Sequence, residues 1–157
     1  MTNKKKDEYK GFEQGPIRPP SEAYSLLLRL TRNCPWNRCT FCRVYTNRTF
    51  SLRSVDNIIR DIDLIHTYIK GISREFTPGG ILDQGRISDL FNSFEAKDRV
   101  AFNAAMNWYA SGMESIFLQD ANSLILKPED LIRILEHIRS CFPKACRITS
   151  YARSHTI

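Results

Sequence analysis

The run Tyr24-Ser25-Leu26-Leu27-Leu28-Arg29-Leu30, followed at once by Thr31-Arg32-Asn33-Cys34-Pro35-Trp36-Asn37-Arg38-Cys39-Thr40-Phe41-Cys42, sets the architecture of this chain. The first part is short, apolar and rich in leucine, as expected of a strand buried on both faces. The second is a polar loop holding three thiols. After it, Ser54 stands before Val55, Ile58, Ile59, Ile62, Ile65 and Ile69, whose spacing predicts an amphipathic helix with Gly71 as its stop. From Ile72 to Asp89 the periodicity fades around Pro78-Gly79-Gly80 and Gly85, which reads as an irregular insertion. A second helix is expected over Phe94 to Ala110, ending at Gly112. Ser115 to Gln119 reads as a strand, followed by the turn Asp120-Ala121-Asn122-Ser123. Pro128 suits the first turn of a further helix, with Glu129 and Asp130 at its positive end and Leu131, Leu135 and Ile138 on its buried face. Pro143 breaks the pattern, and Arg147 to Tyr151 predicts a third strand. Strands alternating with helices imply an α/β fold of parallel strands joined by crossover helices. Ligands of such sheets bind beyond the carboxyl ends of the strands, where the cysteine loop and the Asp120 turn both fall.

The bulk properties narrow the class. The chain has 157 residues, of which 42% are hydrophobic and 25% charged, in keeping with one globular domain. Residues 1–20, ending in Pro19-Pro20, read as a flexible N-terminal tail before a domain over 21–157. No segment nears the roughly 18 consecutive apolar residues of a membrane span, and the polar start is unlike a secretory signal, so a cytoplasmic protein with no membrane partner is expected. The net charge of +6 permits an anionic partner, but beyond Lys4-Lys5-Lys6 the basic residues are dispersed. No nucleic-acid partner is therefore expected from the charge pattern. Five cysteines, an odd number, argue against a disulfide framework and for a reducing compartment.

Cys34, Cys39 and Cys42 lie within one short loop. Thiolates are soft ligands that select iron–sulfur clusters, zinc or copper(I) over magnesium and calcium. Three of them on a cubane leave one iron without a protein ligand, open to an exogenous one. The competing reading is a structural zinc site with His66 or Cys141 as fourth ligand, since zinc favours four ligands in a closed site. For Cys141 and Cys146, burial as small apolar residues is the simpler expectation. Trp36, Phe41 and Tyr45 would shield a cluster or pack as core aromatics, and Trp108 and Tyr109 read as core.

The strand, the three-cysteine loop, Phe41 immediately before the third cysteine and the helix that follows resemble the radical S-adenosylmethionine (radical SAM) superfamily. The stretch from Leu30 to Tyr45, with Phe50-Ser51-Leu52-Arg53, is similar to an uncharacterised branch of it. The gap here is C-x4-C-x2-C, whereas the common family form is C-x3-C-x2-C. The resemblance implies the N-terminal part of a partial (β/α)6 barrel. It also implies a [4Fe–4S] cluster on Cys34, Cys39 and Cys42, whose fourth iron chelates S-adenosylmethionine. Reductive cleavage would then give a 5′-deoxyadenosyl radical for hydrogen abstraction from an unknown substrate, with an electron donor such as flavodoxin or ferredoxin.

The family carries a Gly-Gly-Glu-like segment after the second strand, and this chain has no Gly-Gly pair there. By position Asp120 is the expected contact to the methionine ammonium, with Gln119 and Asn122 as supporting polar groups; an ordinary polar turn is the alternative. Ser150 could bond the ribose and Arg153 a carboxylate, and Phe41 completes the expected cofactor contacts. With three strands where a barrel of six is implied, the expectation is an incomplete radical SAM domain, truncated after the third strand and impaired in catalysis. Two further readings stay open: a non-enzymatic zinc- or iron–sulfur-binding module, and an RNA-modifying radical SAM enzyme.

Overall fold

The computed structural model describes residues 7–77 and 83–154. Three parallel strands, β1 (Leu26–Arg29), β4 (Ser115–Gln119) and β5 (Arg147–Ser150), form a sheet in the order β1-β4-β5. Leu26 sits opposite Ile116 and Arg29 opposite Gln119, while Ser115 sits opposite Arg147 and Leu118 opposite Ser150. Two residues each of β2 (Thr31–Arg32) and β3 (Ser51–Leu52) pair antiparallel and close the base of the cysteine loop. The helices are α1 (Val55–Glu75), α2 (Gln84–Ser93), α3 (Arg99–Ala110) and α4 (Pro128–Cys141). The α/β class and the parallel strands hold. Among the described residues the sheet has three strands and does not close into a barrel. No helix among them is long and apolar enough to cross a membrane.

The hydrophobic pattern explains the layers. Leu26, Leu28, Leu30, Ile116 and Leu118 are buried with Ile58, Ile62, Ile65, Ile69 and Ile72 of α1 and with Ala101, Phe102 and Ala105 of α3. Each leucine, isoleucine and phenylalanine among them contributes on the order of 1.5–3 kcal/mol by leaving water. The other face of the sheet is more polar. There Gln119 bonds the chain at Gly15 and Ile17, and Glu22 receives Ser25, Thr149 and Arg147. Residues 7–19 contain no helix or strand, yet they are not a detached tail. Phe12 is buried, its N–H donates to Asp98 Oδ2 at 2.8 Å, and Arg32 holds Asp7 and Glu13 at 2.9 and 2.5 Å.

Several expected boundaries shift, each for a visible reason. Ser54 caps α1 as expected, accepting from Asn57 N. The helix runs past Gly71 to Glu75, because Gly71 is there for packing: a Cβ on it would lie 2.4 Å from Phe94 Cζ. The region expected to be irregular holds the last turn of α1 and the first part of α2, which is capped by Asp83, whose carboxylate accepts from Arg86 N at 2.9 Å. Pro78-Gly79-Gly80 lies outside the described residues. Phe94 is not in a helix. It caps α2, and α3 begins only after Asp98, whose side chain accepts from Ala101 N. Gly112, with φ of +90°, ends that helix in the left-handed conformation that favours glycine. Trp108 and Tyr109 are core as read, whereas Cys146 is exposed and bonds Glu114 O, contrary to its expected burial.

Replacing Gly71 by alanine sets a propensity gain of up to about 1 kcal/mol against overpacking on Phe94 of about 1–3 kcal/mol. The second effect should win. Urea unfolding of Gly71→Ala is expected to show a lower midpoint at unchanged slope.

Candidate functional site

The cysteine loop leaves the carboxyl end of β1 and returns through β3 into α1, so it lies on the rim of the sheet. Asparagine supplies its sharp turns: Asn33, Asn37 and Asn47 have φ of 66°, 47° and 60°, a region asparagine tolerates better than most residues. Asn33 Nδ2 donates to Thr49 O at 2.6 Å and Asn37 Nδ2 to Tyr45 O at 2.6 Å, drawing the two sides of the loop together. Cys34 and Cys42 are half-buried, Cys39 is exposed, and all three are free thiols. The backbone N–H of Asn37 points at Cys34 Sγ, 3.4 Å away.

The loop is anchored by Asp120, whose side chain has no exposed area. Arg29 Nη2 lies 3.0 Å and Asn33 N 3.2 Å from its Oδ2, and the Tyr45 hydroxyl donates to Oδ1. Burial, then the Asp120 hydrogen bond and charge, push the Tyr45 hydroxyl far above its ordinary pKa, so it stays protonated as the donor. Gly15 passes directly over this carboxylate, where a Cβ would come within 3.0 Å of Oδ2. The ionic group continues inward: Arg29 faces Glu13 at 3.6 Å, Arg53 faces Glu13 at 3.4 Å, and Arg53 Nη1 bonds Asp61 Oδ2 at 2.6 Å. Tyr9 closes it by donating to Asp61 Oδ1 at 3.0 Å.

Both carboxylate oxygens of Asp120, the expected contact to a ligand ammonium, accept from protein donors inside the fold. Gln119 is likewise buried and engaged: Oε1 accepts from Gly15 N at 2.8 Å and Nε2 donates to Ile17 O at 2.6 Å. Ser150 donates to Tyr151 O at 3.0 Å. Asn122 Oδ1 accepts from Arg153 N at 3.3 Å. The Arg153 guanidinium lies 4.5 Å from the Trp36 ring centroid, and Arg38 lies 5.6 Å from it. Thus the loop, the turn after β4 and the segment after β5 do meet on one rim, as the topology implied. Of the residues singled out from sequence, Asp120 meets the loop through Asn33 and Tyr45, and Asn122 and Arg153 meet each other, with Arg153 against Trp36. Phe41 is 88% exposed, whereas Tyr45 is buried.

His66 and Cys141 do not approach the loop as fourth ligands. His66 is on α1 with its ring edge-on to Phe142, and Cys141 is at the end of α4 beside His137. A groove of about 670 Å³, bordered by Gln14, Tyr24, Leu27, Val100, Asn107 and Ser111, follows the start of β1 rather than the rim. No family model, curated protein or solved structure matches the chain.

Sequence reading missed Arg29, Glu13, Arg53 and Asp61 as the frame beneath the loop. The available signal was Arg29 itself, a charge within an apolar strand, which requires a buried partner.

Two measurements test this frame. Replacing Asp120 by alanine removes the nearer of the two carboxylates facing the Arg29 guanidinium, leaving Glu13 at 3.6 Å, and should cost about 3 kcal/mol, the low end for breaking a buried pair. The milder Tyr45→Phe should cost about 1 kcal/mol and raise the alkylation rates of Cys34 and Cys42 severalfold. The docking of residues 7–19 should be pH-dependent. Burial raises the carboxyl pKa values of Asp7 and Glu13, but hydrogen bonds and charge (Ser54 N, Arg32 and Asn57 on Asp7; Arg32, Arg53 and Arg29 on Glu13) outweigh it and hold both below their ordinary 3.8 and 4.5. Their stabilisation is therefore complete above pH 4.5 and lost as pH falls through the depressed values. Protection factors of the Phe12 and Gly15 amides should be flat from pH 7 to 5 and fall below pH 3.8, and Glu13→Gln should lower them already at pH 7.

Proposed function

We propose that this chain is a radical SAM-type iron–sulfur protein, with Cys34, Cys39 and Cys42 as the protein ligands of a [4Fe–4S] cluster. The observation that carries the reading is the placement of these three free thiols on one loop between a parallel strand and its following helix, on the rim where α/β sheets bind ligands. The donor set fits the group. Three soft ligands come from one loop, one of them faces a backbone N–H, and a cubane spreads its thiolates over separate irons and so does not need them converged on a point. Such a cluster supplies one-electron reductive cleavage of S-adenosylmethionine for hydrogen abstraction from an unknown substrate.

The chain's own contribution is then positional. Asp120 and Tyr45 fix the loop against β4, and the asparagine turns shape the loop that carries the thiols. Trp36, with Arg38 and Arg153 near its ring, offers an aromatic group with cationic neighbours beside the loop. Arg153 and Arg38 are two cationic groups beside Trp36 that can meet an anionic carboxylate.

A second reading is a non-enzymatic iron–sulfur or zinc module. It is favoured by one specific observation: the side chains of Gln119, Asp120 and Ser150 all have protein partners already. Anaerobic reconstitution with iron and sulfide separates the two. About four irons per chain with an EPR spectrum altered by S-adenosylmethionine supports the first reading; the same iron content with an indifferent spectrum supports the second. A single tightly held zinc on the loop, with no cluster formed, overturns the proposal. Alanine at any one of the three cysteines should abolish the cluster absorbance while the far-UV circular dichroism stays unchanged.

A further inference from the structure

Away from the rim, α1 and α4 lie side by side and are joined by two polar contacts. Arg133 Nη2 lies 3.2 Å from Asp56 Oδ1, and further along, His137 Nε2 lies 2.7 Å from Asp63 Oδ1. Cys141, one turn beyond His137 on α4, places its Sγ 3.6 Å from the same Nε2. One oxygen, one nitrogen and one sulfur thus lie within 4.8 Å of one another, on two different helices. A surface His–Asp pair accounts for two of these groups but not for a half-buried thiol turned to the same nitrogen. Nor is this a Cys-His-Asp relay. There the histidine bonds its carboxylate and its nucleophile through opposite ring nitrogens, and here both neighbours face Nε2.

What the three atoms share is the space between them. We propose that Asp63, His137 and Cys141 form a zinc site that staples α1 to α4. A carboxylate, an imidazole and a thiolate together suit Zn²⁺ and exclude the oxygen-seeking magnesium and calcium. Three protein ligands leave a fourth tetrahedral position for water. The place is accessible for one: the Asp63 side chain is 56% exposed and that of His137 30%. The site is separate from Cys34, Cys39 and Cys42, and it stands whether or not those carry a cluster.

The test uses the full chain with Cys34, Cys39 and Cys42 changed to alanine, so that the loop cannot take the metal. After chelation under reductant, cobalt titration is expected to saturate at one equivalent per chain. It should give a sulfur-to-cobalt charge-transfer band that zinc then abolishes. Adding His137→Gln or Cys141→Ser should weaken cobalt by more than about tenfold, the least that losing even a ligand's hydrogen-bond partner costs. Without metal, the melting temperature of these partly exposed variants should match the parent. In the otherwise unaltered chain, His137→Gln should lower bound zinc by one equivalent, which keeps the test valid if the triple alanine variant folds poorly. No thiolate–cobalt band, or a band that survives both substitutions, overturns the site.

Discussion

A carboxylate with no exposed surface governs how the rim is built. Burying Asp120 is affordable only because Arg29, the Asn33 amide and the Tyr45 hydroxyl converge on it. Each of these partners belongs to a part that would otherwise be independent: the end of β1, the entry of the cysteine loop and its exit. The charge of Arg29 then passes to Glu13, that of Glu13 to Arg53, and that of Arg53 to Asp61. The network fixes loop, sheet, α1 and the N-terminal segment at once. Removing one member leaves another charge buried without its partner, which costs more than the intact pair contributes.

The strands and the three principal helices were legible because their signals are periodic and local. The leucines of β1, the isoleucines of α1 and Pro128 at the start of α4 each announce an element without help from elsewhere. What was not legible depends on contacts distant in sequence. Gly71 looked like a stop because a glycine in a helix usually is one, and only the approach of Phe94 explains why the helix continues. The helix α2 was hidden by the glycines and proline just before it, although Asp83 three residues ahead of Arg86 is a capping signal. Residues 7–19 have no periodicity at all. Their docking rests on ion pairs to Arg32 and a side-chain clamp from Gln119, neither of which leaves a pattern.

The candidate site divides in the same way. The three thiols are a local motif and are evident from spacing alone. The polar residues around them were placed by analogy of position, and position does not say whether a side chain is free. Asp120 and Gln119 lie where the topology puts them, but burial turned them inward to hold the fold together. The clustering of Asp63, His137 and Cys141 was beyond reach for the opposite reason: its members are separated by a whole crossover, and only the parallel run of α1 and α4 joins them.

The exposed position of Trp36 beside Arg38 and Arg153 has an optical consequence. The chain contains two tryptophans, and they occupy opposite environments: Trp36 is 46% exposed on the loop, while Trp108 is 2% exposed in the core. Their emissions should therefore separate by colour, a red component from the rim and a blue one from the interior. An iron–sulfur chromophore on the neighbouring cysteines would drain the red component first by energy transfer. Fluorescence thus carries an internal reference, with one indole reporting on the loop and the other on whether the body around it is still folded.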